Sequence, residues 1–288
     1  MPSVCSERVP VSNNPSPLHR FVLPIYLILA AAGIVSAGFY QPRTLVNAHT
    51  AGILDRGSYD FDCRIYPAAD PVPGTGLTLG IYIGVTDRLT LGLSYGGEGL
   101  VGRGRHVRFH QLPAWLVKYR IIEEKTHFPG VAIGYDHYGY GGLADTANFN
   151  YKGNIFKSPG FFLSLSKNYL LFSIVQFGIH GMCNYSMEEL GNIRWPNAVA
   201  GLDIGVNDEL TLVFDYDFAL NILEPSPGRA PRYARPDEGY LNAGIRWAFA
   251  PKFRIEFDAR DLLERRTFKN GRSVGWEREL KLVYFSEF

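Results

Sequence analysis

Charged residues recur at two-residue spacing along several stretches of the chain: Asp60, Asp62 and Arg64; Asp215 and Asp217; and Arg254, Glu256, Asp258 and Arg260. Apolar residues interleave each run, so on an extended backbone the ionisable groups share one face and the apolar side chains the other. With Asp203, Arg246 and Lys281 these residues make a charged wall. Such a wall could line a hydrated path for a sugar or small solute, or its members could lock one another into salt bridges that fill a narrow interior. The signs are nearly balanced, which favours mutual pairing.

Two further groups are basic: Arg103, Arg105, His106, Arg108 and His110, and then Arg265, Arg266, Lys269 and Arg272. Arginine forks suit phosphate and carboxylate groups, so these segments are expected to meet anions.

Other apparent motifs carry no chemistry. Asp136 and His137 are adjacent, and adjacent residues of a strand point to opposite faces, so they cannot act as a dyad; no serine is clearly placed beside His137. Gly97, Gly99 and Gly102 spell G-x-G-x-x-G, but the Arg-rich stretch that follows ends at Pro113 without a helix to receive a pyrophosphate. Asn184, Tyr185 and Ser186 match a glycosylation acceptor whose meaning depends on a secretory context. The expectation is a chain with no catalytic residues, no metal site, no cofactor and no nucleic-acid partner. A lipid hydrolase is the enzymatic alternative.

The elements that must position these residues are strands. Thirty-one Gly, 17 Tyr and 19 Phe against 3 Met is a β-type balance. From Ser58 onward, segments of period two begin near Ser58, Leu77, Leu89, Ala114, Gly130, Gly160, Leu170, Ala198, Leu210, Tyr240, Phe253 and Glu279. Phe162 and Phe172 break phase in the sixth and seventh. Short connections at Thr86–Arg88, Lys167–Asn168, Asn207–Glu209 and Ala250–Lys252 alternate with long ones at Gly97–Pro113, Gly141–Pro159, Ser186–Pro196, Asn221–Gly239 and Leu262–Arg278. Glu123–Pro129 is moderately long.

That sorting predicts an all-β fold, an up-and-down transmembrane antiparallel barrel of about twelve strands, with brief periplasmic turns, long outer loops and both termini in the periplasm. A spanning sheet must close, because unpaired backbone groups in hydrocarbon cost several kcal/mol each. Gly80, Gly84, Gly92 and Gly96 fall on the inner face and are expected to leave space. Tyr135, Tyr138, Tyr140, Trp247 and Phe249 are candidate interfacial girdle residues, with ordinary strand packing as the alternative.

Arg8 and Arg20 precede the apolar run Phe21 to Ala37, which ends in small residues. Residues 1–37 read as a signal peptide cleaved after Ala37, an uncleaved anchor being the alternative. Residues 38–57 are expected as a periplasmic segment and 58–288 as the barrel, in the outer membrane of a diderm bacterium. Cys63 and Cys183 lie within strands and are expected as unpaired, packed thiols. Leu280, Leu282, Tyr284 and Phe288 share a face of the last strand and resemble the signal read by the outer-membrane insertion machinery. In this setting the basic loops would contact lipopolysaccharide phosphates, the generic partner, or an anionic polysaccharide.

Five stretches also have a family texture: AGILDRGSYDF at Ala51–Phe61, LTLGLSYGGEGLVG at Leu89–Gly102, LVKYRIIEE at Leu116–Glu124, LNAGIRWAF at Leu241–Phe249 and RIEFDARDLL at Arg254–Leu263. They resemble the YjbH-like outer-membrane proteins associated with exopolysaccharide production. The resemblance implies a single-barrel relative with a role in polysaccharide export.

Overall fold

The computed structural model describes residues 41–68, 74–102, 107–110, 112–143, 154–171, 175–188, 195–221, 233–234, 239–268, 273 and 275–288. The proposed signal peptide, together with Arg103, Arg105, Lys269 and Arg272, lies outside them.

Period-two alternation becomes twelve antiparallel strands: β1 Ser58–Pro67, β2 Thr75–Thr86, β3 Leu89–Val101, β4 Ala114–Ile122, β5 Gly130–Asp136, β6 Gly160–Leu171, β7 Val175–Tyr185, β8 Asn197–Gly205, β9 Leu210–Asp217, β10 Tyr240–Ala250, β11 Phe253–Arg260 and β12 Glu277–Glu287. Each pairs with its sequence neighbours, and β12 pairs with β1 from Ser58 opposite Glu287 to Ile65 opposite Leu280, which closes the barrel. One boundary differs from expectation. The sixth strand runs through Lys167 and Asn168 to Leu171, and the seventh begins at Val175, so Lys167 and Asn168 are not the connection between the two. Lys167 and Asn168 look like turn residues but stay in the ladder, where Lys167 pairs with Glu124 at 3.2 Å and Asn168 Nδ2 donates to the same carboxylate at 2.6 Å. Phe162 keeps phase as an inward residue, and Phe161, Leu163 and Leu165 face out.

The outer face is a membrane surface. Leu79, Leu93, Ile133, Phe161, Ile179, Ile245, Phe257 and Leu282 are exposed around the whole circumference. In water such a surface would be far larger than the apolar patches that soluble proteins tolerate, and a closed barrel wearing it belongs in the outer membrane.

Aromatic residues gather at both rims. At the end holding the short turns, Trp247, Phe249, Phe253, Tyr284, Tyr59 and Phe288 form a chain of rings with centroids 5.0 to 6.2 Å apart. At the end holding the long loops, Tyr135 stacks on Trp115 at 4.4 Å and meets Phe161 edge-on at 4.8 Å. Tyr138 and Tyr140 do not belong to a girdle: both are buried, and Tyr138 shares a 2.9 Å hydroxyl hydrogen bond with Thr78. Cys63 and Cys183 are free, with Cys183 exposed on the outer face rather than packed.

Candidate functional site

The lumen is occupied by the chain itself. Residues 41–56, expected as a periplasmic segment, instead fold into a hairpin inside the barrel, with its tip at Leu45–Ala48 and both limbs towards the turn end. The hairpin is built locally: Thr44 and His49 form an antiparallel bridge, Leu45 N–H donates to Ala48 O at 2.8 Å, and Thr50 N–H donates to Arg43 O at 3.2 Å. Leu45, Val46 and Ala48 are at most 2% exposed and pack with Tyr82, Leu116, Phe162, Met182, Val199 and Val213 of the wall. Burying a Leu or Val side chain is worth about 1.5–3 kcal/mol, so this cluster is a core in its own right.

Polar groups of the wall secure the rest. Asp215 Oδ2 accepts the backbone N–H of Val46 at 2.8 Å and of Asn47 at 2.7 Å. Arg246 donates to Leu45 O and Arg260 to Asn47 Oδ1, each at 2.7 Å. Lys118 Nζ donates to Arg43 O at 2.9 Å, and Arg43 pairs with Asp60. His49 meets Asp136 at 2.8 Å and stacks on Phe162 at 4.3 Å between ring centroids. Lower down, Ala51 N–H donates to Ser166 Oγ at 2.7 Å and Leu54 N–H to Thr90 Oγ1 at 3.0 Å. The limb then crosses Gly84, where a Cβ would collide with the Asp55 carbonyl.

The inner-face glycines therefore leave no free space. The Asp62 carboxylate fills the place beside Gly80, the Tyr82 ring that beside Gly92, and the β2 backbone at Leu77–Thr78 that beside Gly96.

The charged wall lies on the inner face, and its members interlock. Arg64 pairs with Asp62 at 3.0 Å, Arg254 with Glu256 at 2.7 Å and Lys281 with Glu256 at 2.9 Å. Arg246 reaches Asp258 at 3.4 Å and Glu256 at 3.6 Å, and Arg260 reaches Glu279 at 3.3 Å. Asp203 holds His180 at 2.5 Å, while Asp217 accepts from Asn197 at 2.7 Å.

Five buried acids and bases of the inner face were missing from the expected charged wall: Glu98, Lys118, Asp136, Glu277 and Glu279. Parity alone would have found Glu279, two residues before Lys281. Their inclusion upsets the expected balance of signs. On the described strands, ten buried acids (Asp60, Asp62, Glu98, Asp136, Asp203, Asp215, Glu256, Asp258, Glu277 and Glu279) face five buried bases (Arg64, Lys118, Arg246, Arg260 and Lys281). The half-buried charged residues of the same strands are Asp217, Arg120, Lys167 and Arg254, one acid and three bases.

The basic loops are not a free anion-binding surface where they are described. Arg108 pairs with the fully buried Glu98 at 2.5 Å. Arg266 is buried, paired with Asp261 at 3.0 Å and Glu277 at 3.4 Å, and lies 4.5 Å over the Phe156 ring. Only Arg265 is exposed among the described arginines of that loop, and its N–H caps Asp261 at 2.8 Å. In the first group, His110 shares a 3.1 Å contact with Tyr66 Oη; burial and the neighbouring Arg108 hold its pKa down to about 4.

A Ser–His–Asp arrangement was not visible in the sequence. Ser166 Oγ lies 2.8 Å from His180 Nδ1, whose Nε2 faces Asp203, across three adjacent strands. All three side chains are buried, and Ser166 Oγ already accepts the Ala51 N–H. The arrangement serves as a docking point for the hairpin.

The space left in the lumen is small. A cavity of 40 Å³ lies between the hairpin and Lys118, Arg246 and Lys281, and one of 20 Å³ lies near Asn47 and Tyr240, each enough for a few waters at most. Below the hairpin, a vestibule of 1030 Å³ opens at the turn end and reaches Asp60, Asp203, Arg246 and Arg254.

No family model matches the chain, and no curated protein matches it. Among solved structures it is similar to the NanC porin, at 12% identity over 79% of this chain and 99% of that one, with a TM-score of 0.40. An outer membrane channel from Pseudomonas putida F1 is 13% identical over 81% and 97%, with a TM-score of 0.40. The CymD monoaromatic hydrocarbon channel is 13% identical over 82% and 89%, with a TM-score of 0.34.

Proposed function

We propose that the chain is an outer-membrane transport barrel kept shut by its own hairpin, which must move out of the lumen before a solute can cross. The observation that carries this reading is how the hairpin is held. Its one described β-bridge is internal, and its tip is attached to the wall through the side chains of Asp215, Arg246 and Arg260 rather than through a strand ladder. A unit bonded in this way can leave without breaking the barrel's backbone hydrogen bonds. In this reading the turn end and its vestibule face the periplasm, lipid and lipopolysaccharide surround the belt, and the insertion machinery reads the face carrying Leu280, Leu282 and Tyr284. The protein is non-catalytic. Export of a polysaccharide is the finer form of the proposal and draws on the YjbH-like texture of Ala51–Phe61 and Arg254–Leu263.

A permanently closed barrel with a structural or surface role is the second reading. One observation favours it: Leu45, Val46 and Ala48 belong to the same apolar cluster as the wall residues Leu116, Phe162 and Val213. Planar-bilayer recording separates the two. The intact protein should be silent with rare openings, and a variant lacking residues 41–56 should show discrete, lasting channels. A deletion variant that keeps the heat-modifiable gel mobility of a folded barrel yet conducts nothing would overturn the transport reading.

A further inference from the structure

We infer that the lumen, once the hairpin has moved out, selects cations over anions, the choice being made by carboxylates that the hairpin now covers. The inference rests on the transport reading above and names the solute class that reading would admit. Buried acids outnumber buried bases two to one on the described strands. The hairpin offsets part of this excess, because it brings in Arg43 and the backbone N–H groups of Val46 and Asn47.

Departure of the hairpin treats the two signs differently. Arg246 keeps Asp258 and Glu256, Arg260 keeps Glu279, and the hairpin acceptors they give up are neutral oxygens, Leu45 O for Arg246 and Asn47 Oδ1 and Val46 O for Arg260. Asp60 instead loses the Arg43 guanidinium. Asp136 loses His49 and keeps the Tyr138 N–H at 2.8 Å. Asp215 loses both backbone donors and keeps Asn242 at 2.6 Å. Lys118 is uncovered by the same motion, one base against three acids.

The three carboxylates are spread along the path. Asp60 lies near the turn end of β1 and lines the vestibule, Asp136 ends β5 at the loop end, and Asp215 lies two residues from the loop end of β9. A low-dielectric wall focuses their field along the lumen, as acidic rings do in cation channels. Small cations and neutral sugars would pass, and a polyanion would be turned back.

The test is the reversal potential of the variant lacking residues 41–56 in a planar bilayer under a potassium chloride gradient. The expected result is a several-fold preference for potassium over chloride that falls towards one in the same background carrying Asp60→Asn, Asp136→Asn and Asp215→Asn. A ratio at or below one, or a ratio that the triple substitution leaves unchanged, overturns the inference while the conductance itself still supports transport. A folded but silent deletion variant overturns both. If the deletion variant lacks heat-modifiable mobility, the full-length Val46→Asp variant, which sets a carboxylate beside Asp215 and inside the apolar cluster, opens the same lumen for the same measurement.

Discussion

Asp215 on β9 accepts the backbone N–H of Asn47 at 2.7 Å, so that a strand carboxylate holds the tip of a hairpin 168 residues earlier in the chain. The same oxygen takes the Val46 N–H at 2.8 Å. Two charge-assisted bonds meeting on one buried oxygen make this the most concentrated attachment of the hairpin to the wall.

Asp215→Ala should therefore loosen closure more than most wall substitutions. Loss of these bonds weakens the closed state by about 2 kcal/mol, which makes openings roughly thirtyfold more frequent in single-channel records. Asp217→Ala is the control, since Asp217 bonds Asn197 and the Ala219 N–H instead of the hairpin. Equal opening frequencies in the two variants would contradict the assignment.

The strands were legible because a half-buried wall stamps its period on the sequence. Starts at Ser58, Leu89, Ala114, Gly130, Gly160, Leu210, Tyr240 and Phe253 coincide with expectation, and the seventh strand fails because Lys167 and Asn168 mimic turn residues. The hairpin left no such mark. Gln41 to Arg56 has neither strand nor helix period, and its bonds to Asp215, Arg260 and Ser166 span more than a hundred residues each. These partners meet only once the barrel has closed. Arg108 and Arg266 misled for a related reason: their carboxylate partners Glu98 and Glu277 sit on strand ends, where sequence alone does not show that a loop folds back.

Ser166 should be inert as a nucleophile despite its position beside His180. Its oxygen accepts the Ala51 N–H and is buried, so a serine-directed phosphonate should leave the intact protein unlabelled. Stoichiometric labelling at Ser166, abolished by Ser166→Ala, would contradict the non-catalytic reading.

His110 should titrate far below an ordinary histidine. Its pKa, held at about 4 by burial and Arg108, lies under the ordinary value of 6.5. The unfolded chain therefore binds this proton first, and its contribution to stability, complete above pH 6.5, is lost as pH falls through 4. Imidazole resonances in detergent micelles should show the midpoint near 4, and His110→Gln should flatten the acid limb of the thermal stability curve. A midpoint near 6.5 would show that His110 is solvated and not packed against Tyr66 and Tyr138.

Cys183 reports on the outer face. A nitroxide attached there in a Cys63→Ser background should be accessible to oxygen and shielded from a water-soluble relaxation agent, because its strand neighbours across the ladder, Leu163 and Ala198, lie on the apolar belt. The opposite pattern would place this face in water.

The most direct measurement tethers the hairpin to the wall within a single channel. A Cβ at Gly130 would lie 3.2 Å from the Cβ of Ala51, close enough for a disulfide between Ala51→Cys and Gly130→Cys after modest relaxation. Cys63 and Cys183 would be replaced by serine, and Asp215→Ala would supply frequent openings. Oxidised channels should be silent, and reduction should start openings in the same bilayer. Conductance that is indifferent to reduction would contradict the claim that the hairpin closes the lumen.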